Sequence, residues 1–319
     1  MVRQLIKKMY RRIYLREFSK KLNLPTEKEK TLIDELMNDF QKISIIDTKD
    51  LSGATLTWAY NMNRLRELIF NDDPRRFLQW DVIRETMFAG NARYVLKVLE
   101  SLRNSNIFDE YWQKGIIESE VGLPSRCHWF KNSSGNLIHH AYHLQQFEEK
   151  TNIALNTIDF VFEFGGGYGS MCRLFNNLGF NNKYVIFDLP SFSLLQKYYL
   201  KSLGYRLLTV NGFCCERSGI LCISDFEELK DVLKITISVK RKLFIGTWSI
   251  SETPIDLRNS IFSLLGNFNL FLLTYQDKFK EVDNIDYFKN IQKNYSSIKW
   301  DNWKIEHISG SNYLIGNGI

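Results

Sequence analysis

Glu163 and Asp188 each close a short apolar run, 25 positions apart, and the first is followed at once by Gly165-Gly166-Gly167-Tyr168-Gly169. A buried strand, an acid, a tight turn and a helix start is the local structure this order dictates. Glycines in such a turn reach backbone conformations closed to other residues and let a ligand approach the main chain. The helix behind them, from Met171 to Gly179, offers unpaired N–H groups. A second group able to do chemistry is Leu137-Ile138-His139-His140-Ala141-Tyr142-His143, which holds three of the five histidines. On a helix His139 and His143 share a face, and His140 points about 100° away. An i, i+4 pair can bind a metal, but the acid of His-Glu-x-x-His is absent. Imidazole is better placed as a general base near neutral pH. A third group is Thr247-Trp248-Ser249-Ile250-Ser251-Glu252-Thr253-Pro254, at the end of another apolar run.

Two ligand classes use a glycine turn of this kind, dinucleotides and the nucleoside end of S-adenosylmethionine. The dinucleotide fingerprint puts its acid well downstream, whereas Glu163 stands immediately before the glycines. Asp188 could accept both hydroxyls of a ribose, or merely cap the helix opening at Pro190. Leu189 lies beside it, and Asp225 stands at the end of a later strand, placed to approach an adenine. Glu252 could accept a hydroxyl proton or bind substrate hydroxyls, or act only as a helix N-terminal acid. The expected cofactor site is therefore Glu163, Gly165, Gly166, Gly167, Tyr168, Gly169, Asp188, Leu189, Asp225, Thr247 and Trp248; the expected base is His140 or His139, with Glu252 as rival or helper.

The elements that must position these groups change character along the chain. Residues 1–105 read as helices with no strand signal; Thr26 with Glu29 is a capping box, and Asp73-Pro74 is a cap with proline at the first helical position. Residues 106–136 are loop-like, with Trp112, His128, Trp129 and Phe130 either plugging the core edge or forming a shelf for a sugar or nucleoside. From 158 onward, strands are expected at 158–164, 183–188, 205–210, 219–224, 242–248, 268–275, 303–308 and 312–316. Helices are expected at 169–178, 191–203, 225–234, 255–265 and 284–297. Such alternation predicts a parallel sheet wound on both faces, and the helix-free connection before 312–316 makes the last pair antiparallel. The division expected is a helical region, 1–136, supplying the acceptor pocket, and a cofactor-binding domain, 137–319.

The motifs together resemble the sugar O-methyltransferase family of class I S-adenosylmethionine-dependent enzymes. The likeness rests on His-His-x-Tyr-His-Leu at 139–144, Glu-Phe-Gly-Gly-Gly-Tyr-Gly at 163–169, Phe-Asp-Leu-Pro with the helix Leu194–Leu200, and the 247–254 segment. It covers roughly 75–319. It implies an α/β, Rossmann-like fold, a mostly parallel seven-stranded sheet with an antiparallel C-terminal hairpin, preceded by an α-helical region. It also implies methyl transfer to a sugar hydroxyl in bacterial surface polysaccharide biosynthesis. A methyltransferase of RNA or protein, or a non-catalytic binding protein of the same fold, are the rival readings.

Composition narrows these. The chain's formal charge is +6, yet residues 1–22 hold eight Lys or Arg against Glu17 alone, so the remainder sums to about −1. Nucleic acid is accordingly not the expected partner. The 1–22 segment reads as a basic amphipathic helix, able to pack on the body of the protein or to lie on an anionic membrane. No apolar run reaches transmembrane length and no secretory signal is evident. Five cysteines without Cys-x-x-Cys spacing suit free thiols in a reducing, cytoplasmic setting. A metal requirement and homo-oligomerisation are left open by the sequence.

Overall fold

A computed structural model of the chain describes residues 22–87, 89–280 and 282–319. The basic segment expected to form a helix at 1–22 therefore lies, but for Leu22, outside the described residues.

Apolar alternation builds the centre of the molecule. Strands β1 (Phe160–Phe164), β2 (Lys183–Phe187), β3 (Gly219–Ile223), β4 (Lys242–Thr247) and β5 (Leu270–Gln276) run parallel. Strands β6 (Lys299–Lys304) and β7 (Ser311–Asn317) form the closing hairpin, and β7 runs antiparallel to both β6 and β5. The order across the sheet is β3-β2-β1-β4-β5-β7-β6. This is the Rossmann-like class I methyltransferase fold, a mostly parallel seven-stranded sheet with an antiparallel C-terminal hairpin.

The period of two assigns each face its own core. Phe160, Phe162, Val185, Phe244 and Phe271 face one way, against α8 (Phe226–Ile235), α9 (Ile255–Leu264) and α10 (Asn284–Asn294). Val161, Tyr184, Ile186, Leu243 and Ile245 face the other. That second core continues through α5 (Gly135–Thr151), α6 (Ser170–Asn177) and α7 (Pro190–Ser202) into the amino-terminal helices α1 (Glu27–Gln41), α2 (Gly53–Asn71), α3 (Asp81–Thr86) and α4 (Arg93–Arg103). Leu36, Phe40, Leu65 and Ile69 thus belong to the same apolar cluster as the sheet. Thr26 and Glu29 form the capping box of α1, and Asp73 caps a short 3₁₀ helix that opens with Pro74.

Two expected strands sit differently. Residues 205–210 make a single bridge, Leu207 to Ile220, because Thr209 caps a short helix, Val210–Cys215, by accepting the Gly212 N–H. The strand expected at 303–308 begins instead at Lys299, and Glu306 and His307 lie in its turn. An edge strand buries only one side, so the polar run Lys299-Trp300-Asp301-Asn302 forms β6 without a continuous apolar signal.

A buried ion pair ties the loop before α5 to the sheet layer. Arg173 on α6 meets Glu118, donates to Tyr199 Oη at 3.1 Å and to the Ile117 carbonyl at 2.7 Å, and Ser134 donates to Glu118. Removing one partner of such a pair strands the other charge in the core. Arg173→Met is expected to lower stability by about 3–5 kcal/mol, read as a fall in the urea midpoint. Adding Glu118→Leu should recover a large part of that loss; a double variant as unstable as the single one contradicts the assignment.

Candidate functional site

Strand order reverses between β1 and β4, and the crevice outside their carboxyl ends is where open α/β sheets bind ligands. A cavity of 620 Å³ opens there. Its floor is the 165–167 turn; one side carries Asp188, Leu189 and Ser224, the other Thr247, Trp248, Ser249, Glu252 and Thr253. Above them lie Thr55, Trp58 and Met62 of α2, then Thr86, Met87 and Ala89, and His139 and His140 of α5.

The turn is forced by close approach. Gly165 has φ +68°, and a Cβ there would stand 2.4 Å from Ser249 Cβ. Gly167, at φ +58°, leaves its N–H free to donate to Asp188 Oδ2 at 3.1 Å. Asp188 also accepts from the Leu189 N–H at 2.7 Å and from Gln196 Nε2 at 2.8 Å. Burial lifts its pKa to about 7 in spite of those three donors. Glu163 is 3% exposed and accepts from Tyr184 Oη at 2.8 Å. Burial raises its pKa to about 8, the Tyr184 bond opposing and the Asp188 charge adding to the rise. Two acids thus face one glycine turn. The cavity's described lining includes no Lys or Arg.

The opposite end is made by the imidazoles and the end of β4. Trp248 holds φ +61°, a left-handed conformation unusual for a bulky residue, fixed by its N–H donating to the Thr274 carbonyl at 2.8 Å. Its indole stands 5.7 Å from the His139 ring and 5.4 Å from the His143 ring. Burial keeps His140 neutral, its pKa lowered to about 4, and pushes His139 well below its ordinary value, with the neighbouring His140 and His307 adding to that shift. His139 Nε2 and His140 Nδ1 are buried with no hydrogen-bond partner. His143 is used differently: its Nδ1 shares a hydrogen bond with Tyr313 Oη of β7. Glu252 accepts from Gln276 Nε2 at 3.3 Å, and burial raises its pKa. The 248–253 loop is held from behind by buried Arg258, which donates to the carbonyls of Ser251 and Thr253 and to Asn284 Oδ1.

The cavity brings together Glu163, Gly165, Gly166, Gly167, Tyr168, Asp188, Leu189, Thr247, Trp248, His139, His140 and Glu252. Gly169 lies just behind, as the N-cap of α6 at φ +94°. Asp225 is corrected: it is exposed, and its carboxylate accepts from the Glu227 and Glu228 N–H groups as the cap of α8. Its neighbour Ser224 reaches the cavity instead. Trp112, His128, Trp129 and Phe130 do not line it; Trp112 is buried in the core and His128 is exposed. Sequence reasoning missed Thr55, Trp58 and Met62, although their i, i+3, i+7 spacing marks one helix face, and it missed Tyr94 and Ile308. Among the described residues no cluster of three or more His, Cys, Asp or Glu is arranged to hold a metal ion. No described helix is long and apolar enough to cross a membrane.

No family model matches the chain, and no curated protein matches it. Solved structures are similar to part of it. M. capricolum TrmK in complex with S-adenosyl-homocysteine is 11% identical, over 55% of this chain and 67% of its own, with a TM-score of 0.34. The methyltransferase domain of bacterial CtHen1 is 12% identical over 55% and 95%, with a TM-score of 0.38. The 16S rRNA methylase ArmA is 15% identical over 57% and 87%, with a TM-score of 0.33. The resemblance to sugar O-methyltransferases stays with the motifs that suggested it.

The buried acids set a pH dependence. An unfolded glutamate titrates near about 4.3, whereas folded Glu163 does so at about 8. Between those values folded Glu163 binds more protons than the unfolded residue, so its contribution to stability is full at the acid end and falls as pH rises. The buried imidazoles, lowered from 6.5, act in the opposite sense below that value, so the melting temperature of the ligand-free protein is expected to drop between about pH 7 and pH 8.5, and Glu163→Gln is expected to flatten that slope. Equal slopes in the two proteins would exclude this assignment.

Proposed function

We propose that the protein transfers the methyl group of S-adenosylmethionine to a sugar hydroxyl, in a surface glycan or its precursor. One observation carries the reading: an acid pair on a glycine turn and a set of neutral imidazoles share a single cavity at the sheet's switch point. The lining fits the cofactor's chemistry. Its net charge of one positive unit suits a wall of acids without Lys or Arg; Glu163 would hold the amino-acid portion, Asp188 the ribose hydroxyls, and Phe187 and Leu189 would flank the adenine. When bound, the cofactor supplies a methyl group already activated by its sulfonium.

The chain's own residues then position and deprotonate the acceptor. Most of the catalytic advantage is alignment of the oxygen with the methyl group. His140, neutral at physiological pH, accepts the hydroxyl proton as the new bond forms, with His139 beside it and Glu252 binding a neighbouring hydroxyl. The rings of Trp58, Tyr94 and Trp248 offer flat surfaces to a sugar's apolar face. The near-neutral balance of residues 23–319 favours such an acceptor over nucleic acid.

Calorimetric titration tests the reading. S-adenosylmethionine and S-adenosylhomocysteine are expected to bind at micromolar Kd and NAD not at all, with binding lost in Gly165→Arg and Asp188→Ala. Because both acids ionise as pH rises, affinity for the cationic cofactor should increase from pH 6 to pH 8. His140→Ala should keep cofactor binding and lose turnover by about 10²–10⁴-fold. Silence from both sulfur ligands, or NAD binding in their place, defeats the proposal.

A further inference from the structure

The acceptor end of the cavity has the charge and donor pattern of a site for uncharged molecules. Among the described lining residues the ionisable groups are Glu163, Asp188, Glu252, two histidines and two tyrosines, with no Lys or Arg to pair a phosphate. Arg258, behind the 248–253 loop, directs its nitrogens at Ser251, Thr253 and Asn284 and does not reach the cavity.

Part of the backbone around the turn is already engaged. The Gly165 N–H donates to the Phe187 carbonyl, Gly167 and Leu189 to Asp188, and Gly169 to the Gly166 carbonyl. A helix N-terminus is the ordinary backbone cradle for phosphate. Three helices open on this cavity: α6 behind the glycine turn, at the cofactor end, and two led by proline, Pro190 being the first residue of α7 and Pro254 the cap of α9. Proline brings no N–H to such a terminus. Three of the hydroxyls nearby are also engaged. Thr86 donates to the Val82 carbonyl at 2.5 Å, Thr253 to the Ser249 carbonyl at 2.8 Å, and Ser249 to the Phe164 carbonyl.

What remains is apolar wall beside two imidazoles. Trp58 and Met62 of α2, Met87, Leu257 and Ile308 line it together with His139 and His140. A phosphate brought here would lose its water, face carboxylates and find no counter-charge among the described lining residues. Resting on the methyl-transfer reading, we propose that the acceptor is an uncharged glycoside bearing an apolar aglycone, and that sugar phosphates and nucleoside-diphosphate sugars are refused. The aglycone lies along the α2 wall.

The test uses the full chain saturated with S-adenosylhomocysteine, whose binding is measured first; failure at that step sinks the methyl-transfer reading itself. Alkyl glycosides, the matching sugar 1-phosphates and nucleoside-diphosphate sugars are then titrated in parallel. At least one alkyl glycoside should bind tenfold or more tightly than its 1-phosphate. Thr55→Lys, an exposed position on the wall, should narrow that gap by about tenfold, and Met62→Lys provides an independent second variant. A phosphorylated sugar that binds more tightly than its alkyl glycoside overturns the proposal. So does silence from every alkyl glycoside while S-adenosylhomocysteine binds.

Discussion

The site depends on how closely the ends of β1 and β4 meet. Ser249 lies where a side chain on Gly165 would have to be, and its hydroxyl donates to the carbonyl of Phe164. That contact closes the floor of the crevice at the point where strand order reverses. It also makes the chain turn sharply after β4, and Trp248 takes up the turn in a left-handed conformation that its N–H bond to the Thr274 carbonyl secures. A backbone held this way by three strands is a rigid base for the groups above it. The glycine turn, the indole and Glu252 are all placed by one approach of two strand ends.

Burial does the electrostatic work. The same apolar packing that removes water from the acids raises Glu163 and Asp188 and depresses His139 and His140. Both effects push toward neutrality in the empty cavity. A cationic ligand reverses that balance for the acids, whose ionised form it stabilises, while its charge keeps the nearby imidazoles unprotonated. Low dielectric and a cationic partner therefore act in opposite directions on the two kinds of group, which is what an acid pair for binding and a base for deprotonation require.

Much of this was legible before any coordinates. The order Glu163, glycine turn, Asp188 marks two neighbouring strand ends because it couples a strand period to a backbone requirement. The imidazoles were legible only as a pair of alternatives, since helix geometry separates His139 from His140 but does not say which face meets the cavity; both reach it, and His143 is the one turned away to Tyr313. Asp225 shows the limit of the strand-end rule. An acid before a helix has the same sequence context whether it caps that helix or binds a ligand, and here its two N–H partners decide the matter. The α2 wall was hidden for another reason. Trp58 and Met62 look like ordinary core positions on an amphipathic helix, and only the packing of that helix over the sheet opens part of its stripe to a cavity. The edge strand β6 was expected at 303–308 and begins four residues earlier, because its first residues carry no continuous apolar signal.

The closing hairpin has a consequence for the order in which the site comes into being. Ile308 lines the cavity, His307 stacks on Tyr94 at 5.5 Å, and Tyr313 fixes His143. These groups come from the strand pair that follows all five parallel strands in the sequence, and Tyr313 meets a histidine 170 residues before it. β7 inserts between β5 and β6, so the final segment must enter the sheet rather than lie on its edge. The wall beside the imidazoles is therefore completed only after all five parallel strands have been made. A nascent chain that has already formed β1 to β5 still lacks the side chains that orient its histidines.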